Sequence, residues 1–310
     1  MKLPSGFRIG HYTNRRGLTG CTVILCPPNT IGGCDVRGNS PASRETPLLA
    51  ADKAMQEIHA VVLSGGSAFG LAAADGVMEY LESRRIGYRT PWARIPIVAA
   101  AAIFDLNIGS AHTRPDRRQA IRACQSARRN NRSQGNVGAG TGATVGKWAG
   151  ADYRMKGGLG LSSIESGKLI VGCIAVVNCV GDVVERDGSV LAGARSSDGI
   201  FLGEGDRFRK FRSHRILAKT NTTLIVLVTN AAPSKVGVNR LAQRAHDGMA
   251  RAIVPVHTSY DGDVSFALAS NEINDSFDHL AEIGAEATAE AIPSAVRHSR
   301  TVGGVMGIAG

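Results

Sequence analysis

Apolar residues in this chain come in short blocks separated by glycine, proline and polar residues. The periodicity inside each block separates strands from helices. Residues 22–25 read as a strand closed by Pro27-Pro28, residues 60–63 as a second, and residues 95–104 as a third, buried one. Residues 169–180 form a long apolar strand interrupted by Asn178, and residues 224–228 are the most β-branched run in the chain. Residues 264–269 add a further strand. Helical spacing covers residues 68–82 and an arginine-rich segment that follows Pro115 and ends near Asn130. It returns over residues 235–253, where Leu241, Ala245 and Met249 share one side, and over residues 283–298, where Pro293 predicts a kink. Gly157-Gly158-Leu159-Gly160 reads as a turn, and residues 199–215 as an exposed basic loop. Strands and helices are mixed throughout, with no linker and no repeat. The pattern predicts one α/β domain over residues 1–310, with sheets sandwiched by helices.

Composition narrows this picture. The chain holds 38 glycines against 11 prolines, with only 5% aromatic residues, which predicts tight turns and close backbone approaches. No apolar run approaches the roughly 20 residues that a membrane helix needs. The first ten residues carry no apolar signal core, so secretion by that route is not expected. Cysteines at 21, 26, 34, 124, 173 and 179 form no CxxC pair and no zinc spacing; they read as small buried hydrophobes in a reducing cytoplasm. The net charge of +10 gathers in two clusters, residues 114–132 and 207–215. Neither comes with a stacking series of aromatics, since Phe208 and Phe211 are too few, and no helix-turn-helix or zinc finger accompanies them. Solvated surfaces are therefore expected, and a nucleic-acid partner is not. Ser64-Gly65-Gly66-Ser67, between a strand and a helix, has the grammar of an anion site but matches neither a P-loop nor a dinucleotide fingerprint; a tight junction is the plainer reading.

Candidate chemistry gathers around Lys219-Thr220-Asn221-Thr222-Thr223, a polar pentapeptide feeding the β-branched strand. Threonines there can simply open a strand. They can also support self-cleavage. Attack by the Thr222 hydroxyl on the Asn221 carbonyl would give an ester, and water would release Thr222 as a new N-terminus. Its hydroxyl is then the nucleophile and its own amine, titrating near pH 8, the base. In His257-Thr258-Ser259-Tyr260-Asp261-Gly262-Asp263, two carboxylates lie two residues apart, and an extended chain would point both to one side. Such a pair can orient an ammonium and tune it, though the same spacing also makes an ordinary or calcium-like turn. Asn178 is a lone amide in an apolar strand. Unpaired, it would cost about 1–3 kcal/mol, so it either satisfies a neighbour or donates to an oxyanion. Lys147 is the odd cation of a glycine-rich stretch, or else a surface lysine.

Thr220-Asn221-Thr222-Thr223 through Asn230-Ala231, the GNVGAGTGATVGK run ending at Lys147, Lys156-Gly157-Gly158-Leu159-Gly160, Ala175-Val176-Val177-Asn178 and HTSYDGDVSFAL occur in this order. Together they resemble the L-aminopeptidase/D-amidase-esterase family, which includes β-peptidyl aminopeptidases and nylon-oligomer hydrolases. The likeness runs over nearly the whole chain. It implies an αββα sandwich similar to N-terminal-nucleophile hydrolases but differently connected. It also implies self-cleavage into residues 1–221 and 222–310, a homo-oligomer, commonly a tetramer, and no metal or cofactor. Thr222 matches the nucleophile, Asn178 the oxyanion-side asparagine, and Asp261 and Asp263 the acidic pair of the nylon hydrolases. Lys147 matches their site lysine, with Lys156 as runner-up. The Thr, Asp and Asp set is closer to that branch than to the serine aminopeptidases. The resemblance thus implies an amidohydrolase acting on small peptides or linear amides. The alternatives are an acyltransferase of the ornithine-acetyltransferase type and a non-enzymatic basic protein that binds anions at the Ser64 turn.

Overall fold

The computed structural model describes residues 2–204 and 221–310. Ten strands form two five-stranded sheets. In chain order they are β1 (Arg8–Asn14), β2 (Thr19–Leu25), β3 (Ile31–Val36), β4 (Ala42–Arg44), β5 (Ala60–Ser64), β6 (Val98–Ala102), β7 (Gly158–Ser166), β8 (Leu169–Asn178), β9 (Thr222–Ala231) and β10 (Val264–Ile273). One sheet runs β1-β2-β5-β6-β4 and the other β7-β8-β9-β10-β3. Each has a single parallel pair, β5 with β6 and β9 with β10. The helices are α1 (Ala73–Glu82), α2 (Arg117–Gln125), α3 (Lys235–Ala252) and α4 (Phe277–Arg297).

The layers follow from the two-residue period of each strand. Along β9, Leu224, Val226 and Val228 join Ile24, Leu63, Ala99 and Ala101 in the core between the sheets. Ile225 and Leu227 point the other way, against Leu241, Ala245 and Met249 of α3 and Ile292 and Val296 of α4. On the far side, Val23, Val62 and Ala100 pack against Val77 and Leu81 of α1 and Ala120 and Ala123 of α2. The order helices, sheet, sheet, helices is the αββα sandwich. Burial on both faces explains why β8 and β9 read as continuous apolar runs instead of alternating ones.

Several boundaries differ from the sequence pattern. Residues 157–160 are not a turn: Gly158 opens β7, a strand whose small residues carried no β-branched signal. The block over residues 68–82 begins with a 3-10 turn, Ser67–Ala72, before α1. Pro96 sits ahead of the buried strand, which is confined to Val98–Ala102. α2 ends at Gln125; its start is fixed by a capping box, with Asp116 accepting from the Arg118 and Gln119 amides. α4 begins at Phe277, earlier than its apolar pattern, because Ser276 caps it, and it runs on through Pro293. The basic loop expected over residues 199–215 and the second arginine cluster lie largely outside the described residues.

Candidate active site

Strand register assembles the site. Thr222 opens β9, and Asn178, the last residue of β8, is its directly opposed partner. The parallel neighbour β10 starts with Val264 opposite Leu224, so the loop before it lies beside Asn221 and Thr222. A bridge between Asn221 and Asp261 extends that pairing. One strand end and two strand starts therefore meet at the Asn221–Thr222 peptide.

The Asn221 carbonyl is gripped from two sides. The Thr222 hydroxyl donates to it at 2.5 Å, and the Gly262 amide donates at 2.7 Å. Thr222 is 4% exposed. Glycine at 262 is a matter of close approach: a Cβ there would lie 2.4 Å from the Ser40 carbonyl oxygen and 3.0 Å from Thr222 Oγ1. The loop is held by a strap after β3. The Arg37 and Gly38 amides donate to the Asp263 carbonyl, each at 3.1 Å, and the Ser40 amide to the Asp261 carbonyl at 3.2 Å.

Both carboxylates are buried here, and neither lies within a strand. Asp261 accepts from the Val180 amide at 3.2 Å, the Thr258 amide at 3.0 Å and the Thr258 hydroxyl at 2.5 Å. Burial, then the charge of Asp263, pushes Asp261 up to about 7. Asp263 accepts from the Thr223 amide at 2.6 Å and lies 2.7 Å from His257 Nδ1. The Lys147 ammonium donates to the Asn178 carbonyl at 3.0 Å and to Asn178 Oδ1 at 2.9 Å. Asn178 Oδ1 also accepts from the Thr144 amide at 3.0 Å, while Asn178 Nδ2 donates to the Phe104 carbonyl at 3.2 Å. Burial pushes Lys147 down to about 7, against the attraction of Asp261 and Asp263. Lys156 is also buried and also pushed down by burial to about 7. Its ammonium is committed to the carbonyls of Thr141, at 3.0 Å, and Ala143, at 2.6 Å. Of the two lysines, Lys147 is the one on Asn178.

Asn221 Oδ1, Thr223 Oγ1 and His257 Nε2 are buried here with no hydrogen-bond partner among the described residues. Each such unpaired buried atom costs about 1–3 kcal/mol, so these three are carried against the stability of the fold. Gly262, His257 and the strap over residues 37–40 were not singled out by sequence. The signal available was the DGD glycine itself, which only a close approach explains.

Other candidates stay apart. At the Ser64 turn the Gly66 amide donates to Asp105 Oδ1 at 2.6 Å, and the Gly65 and Ser67 amides go to the carbonyls of Gly20 and Ile103. The chain's own carboxylate fills the place an anion would take. In the first arginine cluster, Arg117 pairs with Glu79 and Arg114 stacks 3.7 Å over the Phe69 ring. Among the described residues, no helix is long and apolar enough to cross a membrane.

Comparison with known proteins fits this geometry. The chain is 40% identical over 291 residues to an uncharacterised aminopeptidase of Mycobacterium leprae, covering 87% of this chain and 78% of that one. It is 31% identical over 275 residues to a 6-aminohexanoate-oligomer endohydrolase of Paenarthrobacter ureafaciens, covering 87% and 74%. Among solved structures, the L-aminopeptidase D-Ala-esterase/amidase of Ochrobactrum anthropi, described as a variant of the Ntn hydrolase fold, superposes with a TM-score of 0.73 at 17% identity, over 97% of this chain and 86% of that one. A Burkholderia β-aminopeptidase superposes with a TM-score of 0.72 at 20% identity, over 98% and 89%. The family profile described as peptidase family S58 matches residues 5–309. The chain belongs to peptidase family S58, and it is a hydrolase acting on amide bonds.

Proposed function

We propose that the chain cuts itself between Asn221 and Thr222, and that the freed Thr222 is the nucleophile of a hydrolase for small peptides or linear amide oligomers. The observation that carries this is the double grip on the Asn221 carbonyl, with Thr222 Oγ1 at 2.5 Å and the Gly262 amide at 2.7 Å. In self-cleavage the Thr222 hydroxyl gives up its proton and its oxygen bonds to the Asn221 carbonyl carbon. The Gly262 amide faces the oxygen on which negative charge builds. The C–N bond then breaks, the nitrogen keeps its proton and gains another, and an ester joins Asn221 to Thr222. Water hydrolyses the ester, leaving a carboxylate on Asn221 and a free amine and hydroxyl on Thr222. Lys147, brought to about 7 by burial, is a base of suitable strength for the first proton.

In turnover the Thr222 amine serves as base for its own hydroxyl. Asp261 and Asp263, beside Asn221 and Thr223, hold and orient that amine when it is protonated. The substrate acyl group passes to Thr222 Oγ1, the leaving amine takes the proton, and water releases the acid. Short amide chains as substrates are supported by relatives named as aminopeptidases and as a 6-aminohexanoate-oligomer endohydrolase. Intact mass after maturation should show chains of 221 and 89 residues (310 − 221 = 89). Thr222→Ala should remain one chain and be inactive. A wild-type protein that stays full length yet hydrolyses amides would overturn the mechanism.

A further inference from the structure

We propose that His257 is a positioning residue for this reaction: its Nδ1–H anchors one oxygen of Asp263 and so orients that carboxylate beside Thr222. The inference rests on the reading of the site given above, but on different atoms. Both Asp263 oxygens are anchored, one by the Thr223 amide at 2.6 Å and one by His257 Nδ1 at 2.7 Å. The Thr223 amide is fixed by the strand, so His257 is the side-chain half of this clamp.

The surroundings fix the tautomer. Asp263 accepts, so Nδ1 carries the proton. His257 Nε2 is buried with no partner among the described residues, and a second proton there would be an unpaired buried donor. A proton on Nδ1, facing Asp263, is what the geometry requires. His246 of α3 packs edge-on against it, with ring centroids 4.8 Å apart and planes at 66°. His246 is locked in turn. Ser265 Oγ donates to the Ala242 carbonyl at 2.7 Å, so it accepts from His246 Nε2 at 3.0 Å. Asp35 of β3 lies 3.3 Å from the same nitrogen and is itself paired with Arg37 at 3.0 Å. Burial, with His257 beside it, pushes His246 down to about 3, so that ring is neutral. Among the described residues, the charged groups around His257 are Asp263 in contact, Asp261 and Lys147 across the site, and the Asp35–Arg37 pair behind His246. His257 also sits at a φ of +52°. A non-glycine residue held in that region marks a place where the surroundings dictate the side chain's direction.

Without this donor, Asp263 keeps the Thr223 amide on one oxygen, but nothing on its other oxygen fixes its direction. A hydrogen bond to a charged group is worth about 10- to 100-fold in the step it serves. The test is kcat and KM measured separately on the processed enzyme, with the rate of self-cleavage as a parallel readout. His257→Leu removes the donor and keeps bulk. His257→Gly removes it and accepts the backbone conformation, which covers the case in which the leucine variant does not fold. Both should lose about 10- to 100-fold in kcat with KM little changed. His257→Asn places an amide N–H near the Nδ1 position and tolerates the left-handed backbone; it should restore most of the lost kcat. A lowered melting temperature with an unchanged kcat per folded molecule in the leucine and glycine variants would reduce His257 to packing and overturn the proposal. If wild type neither cleaves itself nor hydrolyses amides, the reading of the whole site fails instead.

Discussion

Asn178 offers the sharpest division between two roles, because its amide holds neighbours and, on the proposed reading, also serves the reaction opposite Thr222. Its Oδ1 accepts from Lys147 at 2.9 Å and from the Thr144 amide at 3.0 Å, and its Nδ2 donates to the Phe104 carbonyl at 3.2 Å. Asn178→Leu removes these bonds. Each buried group left unpaired costs about 1–3 kcal/mol, so the leucine variant should lose several kcal/mol of stability as well as turnover. Asn178→Asp keeps an acceptor for Thr144 and Lys147. It loses the donor and sets a carboxylate oxygen against the Phe104 carbonyl and, on the proposed reading, against the oxyanion of the acyl group that Thr222, its opposed residue, attacks. If the amide donates to the developing charge, both variants should lose about 10²–10³ in kcat, with the aspartate at least as impaired despite its closer shape. If Asn178 only anchors Lys147, the aspartate should work nearly normally and the leucine should be the poor one. The measurements are kcat per processed molecule and urea melts on the Thr222→Ala background, which keeps each chain whole. Near-normal turnover in Asn178→Asp would refute the oxyanion role.

Asp261→Asn and Asp263→Asn keep an acceptor oxygen for the Val180 and Thr223 amides, so each should fold and yet lose about 10²-fold or more in turnover; a variant that processes and works like wild type removes that carboxylate from the site. The buried lysines predict a stability slope. Lys156 is held near 7 when folded and returns to about 10.5 when unfolded, so above pH 7 the unfolded state binds the extra proton and stability should rise with pH. Asp261, raised to about 7, acts in the opposite sense between its ordinary value and neutrality, and the buried thiols oppose the trend only above about 9. Between pH 7 and 9, Lys156→Met in the uncleaved background should therefore flatten the slope by up to about 1.4 kcal/mol per pH unit; an unchanged slope would show that Lys156 keeps its proton when folded.

The layers of the sandwich were legible because buried strands and two-sided helices leave strong periodic signals. The strand over residues 224–228 needed only extension to Thr222–Ala231. β7 was not legible, since Gly158-Leu159-Gly160 carries no strand propensity. Its glycines are there for contact with α4: a Cβ at Gly160 would lie 2.0 Å from the Ala291 carbonyl oxygen. That is a tertiary constraint, invisible along the chain. The same holds at the site. Asn178, Lys147, Asp261 and Asp263 stand out because polar residues are costly in apolar or glycine-rich surroundings. Gly262 and His257 do not, because a backbone amide and a tautomer acquire meaning only once β9 and β10 pair in parallel. The resemblance already favours Lys147 over Lys156 on its spacing to Asn178, and the direction of the two buried ammoniums, Lys147 on Asn178 and Lys156 on Thr141 and Ala143, is consistent with that preference.

The place of the proposed scissile bond also explains how a chain cut there would remain one body. β9 is the central strand of its sheet, with β8 from the long chain on one side and β10 from the short chain on the other. Cleavage at the head of β9 removes one covalent bond and leaves the pairing of residues 223–229 with 171–177 in place. β3, from the long chain, pairs in turn with β10, so the short chain is hydrogen-bonded to the long one along both of its strands. α3 and α4 cover this sheet from outside, and their apolar residues share one core with Val171, Cys173 and Ala175 of β8. Separation would expose that core and strip two strand edges of their partners, a cost far greater than the gain from releasing the new termini. The intact chain builds the sheet, and a chain cut there would inherit it. The fold holds the Thr222 hydroxyl and the Gly262 amide on the Asn221 carbonyl, and on the proposed reading the same pairing would keep the freed amine beside Asp261 and Asp263.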